Sequence, residues 1–371
     1  MANIIDYVRR VLDRFQDKEF NPVDSLVLSQ FSYIHLNSLV PGLLRIAEPV
    51  KIKDILRAER FDKMFLDVRD AEKSKQLLFA MSASPRFRDL RMSYFKDVLD
   101  PVREKQFAAV TFFLDEDTAY LAFRGTDDTF TGWKEDFNMA YISPVPSQVD
   151  ALHYAEAVAE RFPGGLILGG HSKGGNLAVY AAMKSPPAVQ DRILRIFSHD
   201  GPGFKDKVFE TPEFQRISGK IHKTIPQSSL IGMLLENQEN YVVVESSRFG
   251  FMQHDPFSWT VEEDDFHILR QLAPGSQYLN KTLSDWIDRM SSQKREQFVD
   301  ALYEVLHESN SNISTFSEFS AEWQKNIPAV LAAARNVDGE TRGILLQTMA
   351  ELAVVAVKNL PRPHIGGDKT E

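Results

Sequence analysis

The segment LILGGHSKGG, residues 166–175, carries the clearest indication of the fold in this sequence. Its first half, Leu166 to Gly170, is a short apolar run ending in glycine, which is typical of a strand buried in a parallel sheet. The stretch from Asn176 to Met183 has the pattern of a helix. A strand, a tight turn and a helix in this order form the repeating unit of a parallel sheet covered by helices. The sequence therefore predicts an α/β fold.

The turn itself, Gly170-His171-Ser172-Lys173-Gly174, has the pattern G-x-S-x-G. In a nucleophile elbow of this kind the serine has a strained backbone, and small neighbours let the helix return close to the strand. Gly170, Gly174 and Gly175 supply that room, and the helix N-terminus adds partial positive charge where an oxyanion would develop. A phosphate-binding turn is the alternative, but the spacing lacks both G-x-x-x-x-G-K-[ST] and G-x-G-x-x-G. Ser172 is therefore the predicted nucleophile.

Further strand patterns flank this unit. The runs Phe107 to Leu114 and Ala119 to Arg124 are separated by a short polar turn and predict a hairpin. A helix is predicted from about Val149 to Arg161. Later strands are predicted at Ile193 to Ser198, Lys220 to Ile225 and Tyr241 to Glu245. Together these elements predict a doubly wound, mostly parallel sheet with helices on both faces.

Helical patterns occupy both ends of the chain. In the N-terminal helical region, residues 1–100, the stripe from Ile4 to Phe15 predicts an amphipathic helix, for which packing on the core is favoured over docking to a membrane surface. Residues 101–260 form the predicted core, and residues 261–360 a helical C-terminal extension without strands. Its helices are expected at 266–272, 278–290, 294–308, 327–336 and 341–360. The tail, residues 361–371, is expected to be disordered.

Composition restricts the function. The 371 residues are 43% hydrophobic, which is enough for a sizeable core, and carry a formal charge of −9. This charge argues against a general affinity for nucleic acid or anionic membranes. The absence of cysteine excludes disulfides, thiolate metal sites and a cysteine nucleophile. The N-terminal stretch is too charged for a secretory signal and the apolar runs are too short to span a bilayer, so a cytoplasmic protein without stable membrane insertion is expected.

The motif set resembles a known family. Phe123-Arg124-Gly125-Thr126, then W-x-x-D at Trp133 and Asp136, then G-H-S-x-G-G, is similar to the class 3, or fungal-type, lipases over about residues 107–254. The resemblance implies an α/β-hydrolase fold, with the Thr126 amide as one oxyanion donor beside the Lys173 amide. Arg124 and Asp136 are interpreted as structural, for example as a buried ion pair bracing the oxyanion loop. The wider chain, including residues 21–24, 200–204 and 253–257, resembles a bacterial lipase-like family of unassigned function.

A serine hydroxyl needs a base, and α/β-hydrolases place a histidine after the last strand. Among nine histidines, His254 has this position. His199 and His222, at the ends of strands, are alternatives. His171 is tied too closely to the elbow backbone to face the neighbouring serine. The sequence therefore predicts His254 as the base that activates Ser172.

The third catalytic group, the acid that orients the histidine, departs from the lipase pattern. That pattern places it in the turn after the next-to-last strand, and here this turn, residues 225–229, has no carboxylate. Asp200, directly after the preceding strand, is the nearest substitute, although an aspartate before glycine also suits a turn. Asp255 is less favoured because consecutive side chains diverge. The site could also be a dyad in which Gln227 or Ser228 orients the imidazole.

These residues predict a serine hydrolase of carboxylic esters, including lipid esters, that requires no metal or organic cofactor. The substrate class rests on family analogy. An amidase or peptidase could use the same residues. The absence of a carboxylate after the next-to-last strand also favours a further alternative, a non-catalytic scaffold that binds a ligand or a protein. The apolar side chains between Asp127 and Pro146 are read equally as the cover of an acyl pocket and as ordinary packing.

Overall fold

A nine-stranded sheet forms the centre of the computed structural model, which describes residues 1–126, 135, 139, 143–204, 206–229, 231–233, 240–273, 275–291, 293–295, 297–298, 300–301 and 338–359. The order of strands across this sheet is β1-β2-β3-β4-β5-β6-β7-β8-β11, and β9 and β10 form a separate pair. The strands are β1 Val50–Lys51, β2 Arg91–Asp100, β3 Lys105–Phe113, β4 Thr118–Phe123, β5 Gly165–His171, β6 Ile193–His199, β7 Ile221–Pro226, β8 Tyr241–Val244, β9 Val261–Glu262, β10 Asp265–Phe266 and β11 Ile268–Leu269.

The strands β4 to β8 run parallel to one another, and β1 to β3 and β11 extend this sheet in antiparallel fashion. The register places Phe123 opposite Gly170, and His199 opposite both His171 and Thr224. The carboxyl ends of β4 to β7 therefore share one edge of the sheet. In α/β sheets, the loops that leave this edge form the ligand site.

Helices cover both faces of the sheet. The described α-helices are α1 Ile4–Arg10, α2 Pro22–Phe31, α3 Phe61–Met64, α4 Ala71–Ala83, α5 Pro146–Arg161, α6 Lys173–Lys184, α7 Pro187–Gln190, α8 Asp206–Phe209, α9 Pro212–Ser218, α10 Ser276–Arg289 and α11 Gly339–Asn359. Short 3₁₀ helices span Ile52–Ile55, Ala58–Arg60, Gly250–His254 and Pro256–Ser258. One apolar core lies between the sheet and α1, α2 and α4, and a second lies between the sheet and α5, α6 and α9. The predicted doubly wound α/β fold is confirmed.

A buried ion pair braces the N-terminal helices. The Arg86 guanidinium lies 2.5 Å from the Asp24 carboxylate, and neither side chain is exposed. The Tyr7 hydroxyl donates to the same carboxylate at 2.8 Å. Burial raises the pKa of Asp24, against the opposing effect of Arg86. Because Tyr7 lies on α1, Asp24 on α2 and Arg86 just after α4, one cluster joins all three helices.

Several predicted elements are confirmed and others are wrong. The structure agrees to within a few residues with the predicted hairpin, with the strands β5 to β8 and with the helices at 278–290 and 341–360. The predictions for residues 302–337 and 361–371 lie outside the described residues. The first helix ends at Arg10, short of Phe15. The prediction of no strand in the extension is wrong, because β11 pairs with β8 where a helix was expected at 266–272. Two-residue strands are too short to show a periodic pattern.

Strand β2, Arg91–Asp100, lies within the N-terminal region, residues 1–100, that the sequence predicted to be helical. Its pairing with β3 shifts register between Ser93 and Lys96, and Tyr94 within this bulge has a φ of 59°. A bulge breaks the alternation of buried and exposed residues from which a strand is predicted. None of the described helices is both long and apolar enough to cross a membrane.

Candidate active site

Ser172 lies at the turn between β5 and α6, with φ 57° and ψ −131°. This conformation is strained for a residue with a side chain. Backbone hydrogen bonds hold it: the Ser172 N–H donates to the His199 carbonyl at 2.9 Å, and the Gly175 N–H donates to the Ser172 carbonyl at 2.9 Å. The serine is therefore presented at the carboxyl edge of the sheet by the neighbouring strand and by the first turn of the helix.

Two glycines make this turn possible. A Cβ atom at Gly170 would lie 2.3 Å from the carbonyl carbon of Gly174, and one at Gly174 would lie 2.1 Å from the Phe123 carbonyl oxygen. Both distances are far below van der Waals contact. The glycines of the G-x-S-x-G pattern thus allow α6 to pass directly over the ends of β4 and β5.

Ser172, His254 and Asp200 form a continuous hydrogen-bonded chain. The Ser172 hydroxyl lies 2.9 Å from Nε2 of His254, and Nδ1 of the same ring lies 2.6 Å from Oδ2 of Asp200. All three residues are buried, with 8%, 7% and 1% of their surface exposed, respectively. The contacts link a hydroxyl, an imidazole and a carboxylate, and the order of the three residues along the sequence, serine, aspartate and then histidine, is that of the α/β-hydrolase pattern.

The Asp200 carboxylate is itself held in place. Its Oδ1 accepts a short hydrogen bond from the Ser229 hydroxyl and another from the Gly232 N–H at 3.1 Å. Asp200 has a φ of 51°, a left-handed conformation that aspartate tolerates better than most residues. The turn after β7, which has no carboxylate of its own, therefore binds the carboxylate that follows β6.

The other candidates for the acid have different partners. The Asp255 carboxylate binds Lys73 at 3.3 Å and Arg248 at 2.9 Å. The Gln227 side chain bonds to the backbone of Ser246. The Ser228 N–H donates to the side chain of Gln253 at 2.7 Å. These contacts anchor the segment that carries His254 to α4 and to the loops on either side of β8.

His171 contacts both the backbone and the ring of His254. Its Nε2–H donates to the His254 carbonyl at 3.0 Å, and the two rings lie 4.6 Å apart. The Tyr33 hydroxyl, which lies 3.3 Å from Nδ1 of His171, donates to this nitrogen. Burial and the nearby His254 lower the pKa of His171 well below its usual range, which keeps the ring neutral. Sequence reasoning excluded His171 as the base but did not identify these contacts.

The side chains of the two alternative histidines have partners other than the Ser172 hydroxyl. The His199 ring is buried against α2, where its Nε2 lies 2.9 Å from the Ser25 hydroxyl, and burial lowers its pKa to about 3. His222 stacks on Phe197, with ring centroids 5.2 Å apart. Neither contact directs an imidazole toward the elbow.

The loop after β4 passes against the elbow. A Cβ atom at Gly125 would lie 2.5 Å from the His171 carbonyl oxygen, so the backbone that leads to Thr126 is in close contact with the end of β5. Arg124 is buried and its Nη2 lies 2.8 Å from Asp97 on β2. Burial acts to raise the pKa of Asp97, but hydrogen bonding to His35 and the charge of Arg124 together lower this pKa below its usual value.

Asp136, the suggested partner of Arg124, lies outside the described residues, as does Trp133. Asp97 was not considered because it belongs to β2, the strand that the sequence did not indicate. In the sequence, Asp97 is one acidic residue in a segment of mixed charge, and nothing there indicates a partner for Arg124.

The Lys173 side chain was also missed, since only its backbone amide was assigned a role. Its Nζ is fully buried and lies 3.1 Å from the Glu135 carboxylate. It also donates to the backbone and side-chain oxygens of Gln106, each at 3.0 Å. A charged pair is thus buried directly beside the candidate nucleophile.

The sheet topology and the elbow at Ser172 define a lipase-like α/β-hydrolase fold. Within that class, the chain belongs to the Mbeg1-like family, whose model matches residues 81–304. No curated protein matches the sequence.

Solved structures of lipases are similar to the chain at low identity. Lipase II from Rhizopus niveus is 16% identical, with 60% of this chain and 78% of that chain covered and a TM-score of 0.36. The lipase from Rhizopus microsporus var. chinensis is 14% identical, with 63% and 96% covered and a TM-score of 0.31. A triacylglycerol lipase described as having a serine protease triad is 15% identical, with 60% and 76% covered and a TM-score of 0.36.

Proposed function

We propose that the protein is a serine hydrolase that cleaves carboxylic esters through an acyl-enzyme on Ser172. One observation carries the proposal: Ser172 Oγ, the His254 ring and the Asp200 carboxylate are linked at 2.9 Å and 2.6 Å. A nucleophile within hydrogen-bond reach of a base, which a third group orients, is the arrangement that acyl transfer requires.

In the first half of the reaction, Ser172 Oγ attacks the ester carbonyl carbon and its proton passes to Nε2 of His254. The carbonyl oxygen becomes an oxyanion. The Asp200 carboxylate holds the Nδ1–H tautomer and stabilises the imidazolium. The tetrahedral intermediate collapses as His254 returns the proton to the leaving alcohol, which leaves an acyl-enzyme.

In the second half, water attacks the acyl carbon while His254 takes a proton from it. Collapse of the second tetrahedral intermediate releases the carboxylic acid, and Ser172 regains its proton. The backbone amides of Thr126 and Lys173 are assigned to the oxyanion, where each donor is worth about 10²–10³ in rate. The N-terminus of α6 adds partial positive charge at the same place.

The resemblance of residues 123–126 and 170–175 to the lipase motifs supports esters, including lipid esters, as the substrate class. The non-catalytic alternative drew its support from the lack of a carboxylate in the turn at residues 225–229. Asp200 supplies a carboxylate to His254 from β6, and this removes the reason to prefer a scaffold.

A panel of p-nitrophenyl esters of rising acyl length, with matching p-nitroanilides, tests the proposal. We expect hydrolysis of esters above the rate for anilides, with a preferred chain length, and none by Ser172→Ala. Faster cleavage of anilides would indicate an amidase. Equal rates for wild type and Ser172→Ala would contradict the role of Ser172.

A further inference from the structure

The residue after the nucleophile carries a buried charge. The side chains of Lys173 and Glu135 are both 0% exposed, and 3.1 Å separates Nζ from the carboxylate. Lys173 begins α6, where its neighbours Gly174 and Leu177 pack against the sheet and other buried helices. An apolar side chain would fill such a position without the cost of removing an ammonium group from water.

The Glu135 carboxylate joins three separate elements. Besides Lys173 on α6, it accepts the Gln106 N–H from β3 at 3.0 Å and the Ser147 N–H from α5 at 2.8 Å. The Lys173 Nζ also donates two hydrogen bonds to Gln106, which lies on β3. Glu135 follows Thr126 by nine residues in the connection between β4 and α5.

Both assigned oxyanion donors are connected to this pair through described residues. The Lys173 amide belongs to the lysine itself. Thr126 follows Arg124, whose N–H donates to the Ala108 carbonyl of β3 at 2.9 Å, and β3 also carries Gln106, the shared partner of Lys173 and Glu135. Charge-assisted bonds between buried groups are stronger and more directional than apolar contacts, so they fix the atoms they join more closely than apolar packing does. Replacing a buried ion pair by neutral groups of similar size is often neutral or stabilising, so fold stability alone gives little reason for a charged pair here.

We propose that Lys173 and Glu135 are positioning residues for the oxyanion hole: their ion pair sets the separation between the amides of Thr126 and Lys173. This inference rests on the proposed function. The pair acts through the backbone donors and does not touch the reacting atoms. Its effect is therefore expected in the transition state and not in the binding of the ester.

The test compares wild type with Lys173→Met/Glu135→Gln, which removes both charges, keeps side chains of similar size and leaves an acceptor for the Gln106 or Ser147 N–H. Ester kinetics are measured together with inhibition by an alkyl trifluoromethyl ketone. Ser172 adds to its carbonyl and places an anionic oxygen in the hole. We expect kcat to fall about 10–100-fold with KM within about twofold, and the inhibition constant to rise by the same factor as kcat/KM falls.

The matched control is Asp24→Asn/Arg86→Met, which neutralises the other fully buried pair described above. It is expected to lower Tm, because Arg86→Met also removes the donors to the Asp13, Lys18 and Glu19 carbonyls, with kcat and the inhibition constant unchanged. If the first double variant does not fold, Glu135→Gln alone provides the same comparison, with a smaller loss in the same direction.

A folded charge-neutral variant with wild-type kcat and inhibition constant would overturn this inference alone, because the pair would then be only structural. An equal loss of kcat in the Asp24/Arg86 control would also overturn it. Wild type that neither hydrolyses esters nor binds the ketone would contradict the proposed function, and this inference with it.

Discussion

The Asp200 carboxylate lies 2.6 Å from Nδ1 of His254, although the aspartate follows β6 and not β7. The turn after β7 provides the Ser229 hydroxyl, which donates to Asp200. In the lipase pattern this turn carries the acid. Here the same turn binds an acid from the neighbouring strand, so the carboxylate reaches the imidazole from one strand further along the sheet.

Asp200→Asn is expected to lower kcat by about 10⁴, because an amide cannot hold the imidazole in the same tautomer or stabilise its positive charge. Ser172→Ala and His254→Ala should each cost about 10⁶, since orienting the base is the smallest of the three contributions. Steady-state ester kinetics of the three variants give the order of their losses in kcat, and circular dichroism verifies that each variant is folded.

Asp255→Asn is the control for this assignment. Asp255 adjoins His254 but binds Lys73 and Arg248, so its loss should reduce kcat less than about tenfold. A greater loss of kcat in Asp255→Asn than in Asp200→Asn would show that the acid has been assigned to the wrong residue.

His171→Phe should lower kcat about 2–10-fold with little change in KM. The variant keeps a ring beside His254 but removes the donor to the His254 carbonyl, and one such hydrogen bond contributes about 0.5–1.5 kcal/mol. Tyr33→Phe, which leaves that donor in place, should cost less. A rise in KM without a change in kcat would indicate that His171 affects substrate binding and not the position of the base.

His199 should make the fold sensitive to acid. Burial lowers its pKa in the folded state to about 3, whereas the unfolded chain takes up this proton near the ordinary value of about 6.5. The stability from neutral His199 is therefore complete above about pH 6.5 and lost as the pH falls toward 3. Between about pH 7.5 and pH 5, the free energy of unfolding should fall by about 2 kcal/mol more in wild type than in His199→Gln.

Urea unfolding at both pH values measures this difference. The lowered pKa of His171 acts in the same direction and remains in the variant, so the variant also loses some stability in acid. Identical pH dependence of the two proteins would contradict the burial of a neutral imidazole at position 199.

Arg86→Met should destabilise the fold by about 3–5 kcal/mol, because it leaves the Asp24 carboxylate buried without its positive partner. Asp24→Asn/Arg86→Met removes both charges and should recover part of that loss. Urea unfolding of wild type, the single variant and the double variant measures their free energies of unfolding. A single variant as stable as wild type would mean that water reaches Asp24.

The parts of the fold that could be predicted are those with strong local patterns. Leu166 to Gly170 is an uninterrupted apolar run before a glycine-rich turn, and both its strand and the following helix are where the pattern placed them. Strand β2 was missed because a bulge at Tyr94 interrupts its alternation. Strands β9 to β11 have two residues each, and only pairing with distant segments defines them.

The same distinction applies to the candidate site. Ser172 lies in a local motif, and His254 and Asp200 follow from the order of strands along the chain. Glu135 occupies a variable position of the W-x-x-D pattern and Asp97 lies outside the motifs. Neither pairing could be predicted, because the partners Lys173 and Arg124 are 38 and 27 residues away. Only the folded chain brings a carboxylate to each of these buried cations.

The most direct test of the central claim is labelling by a fluorophosphonate probe, followed by peptide mass spectrometry. An activated serine attacks phosphorus and expels fluoride, so we predict one label per chain on Ser172, none in Ser172→Ala and a greatly reduced rate in His254→Ala. Folded wild-type protein that remains unlabelled, or that is labelled at another residue, would contradict the claim that His254 activates Ser172.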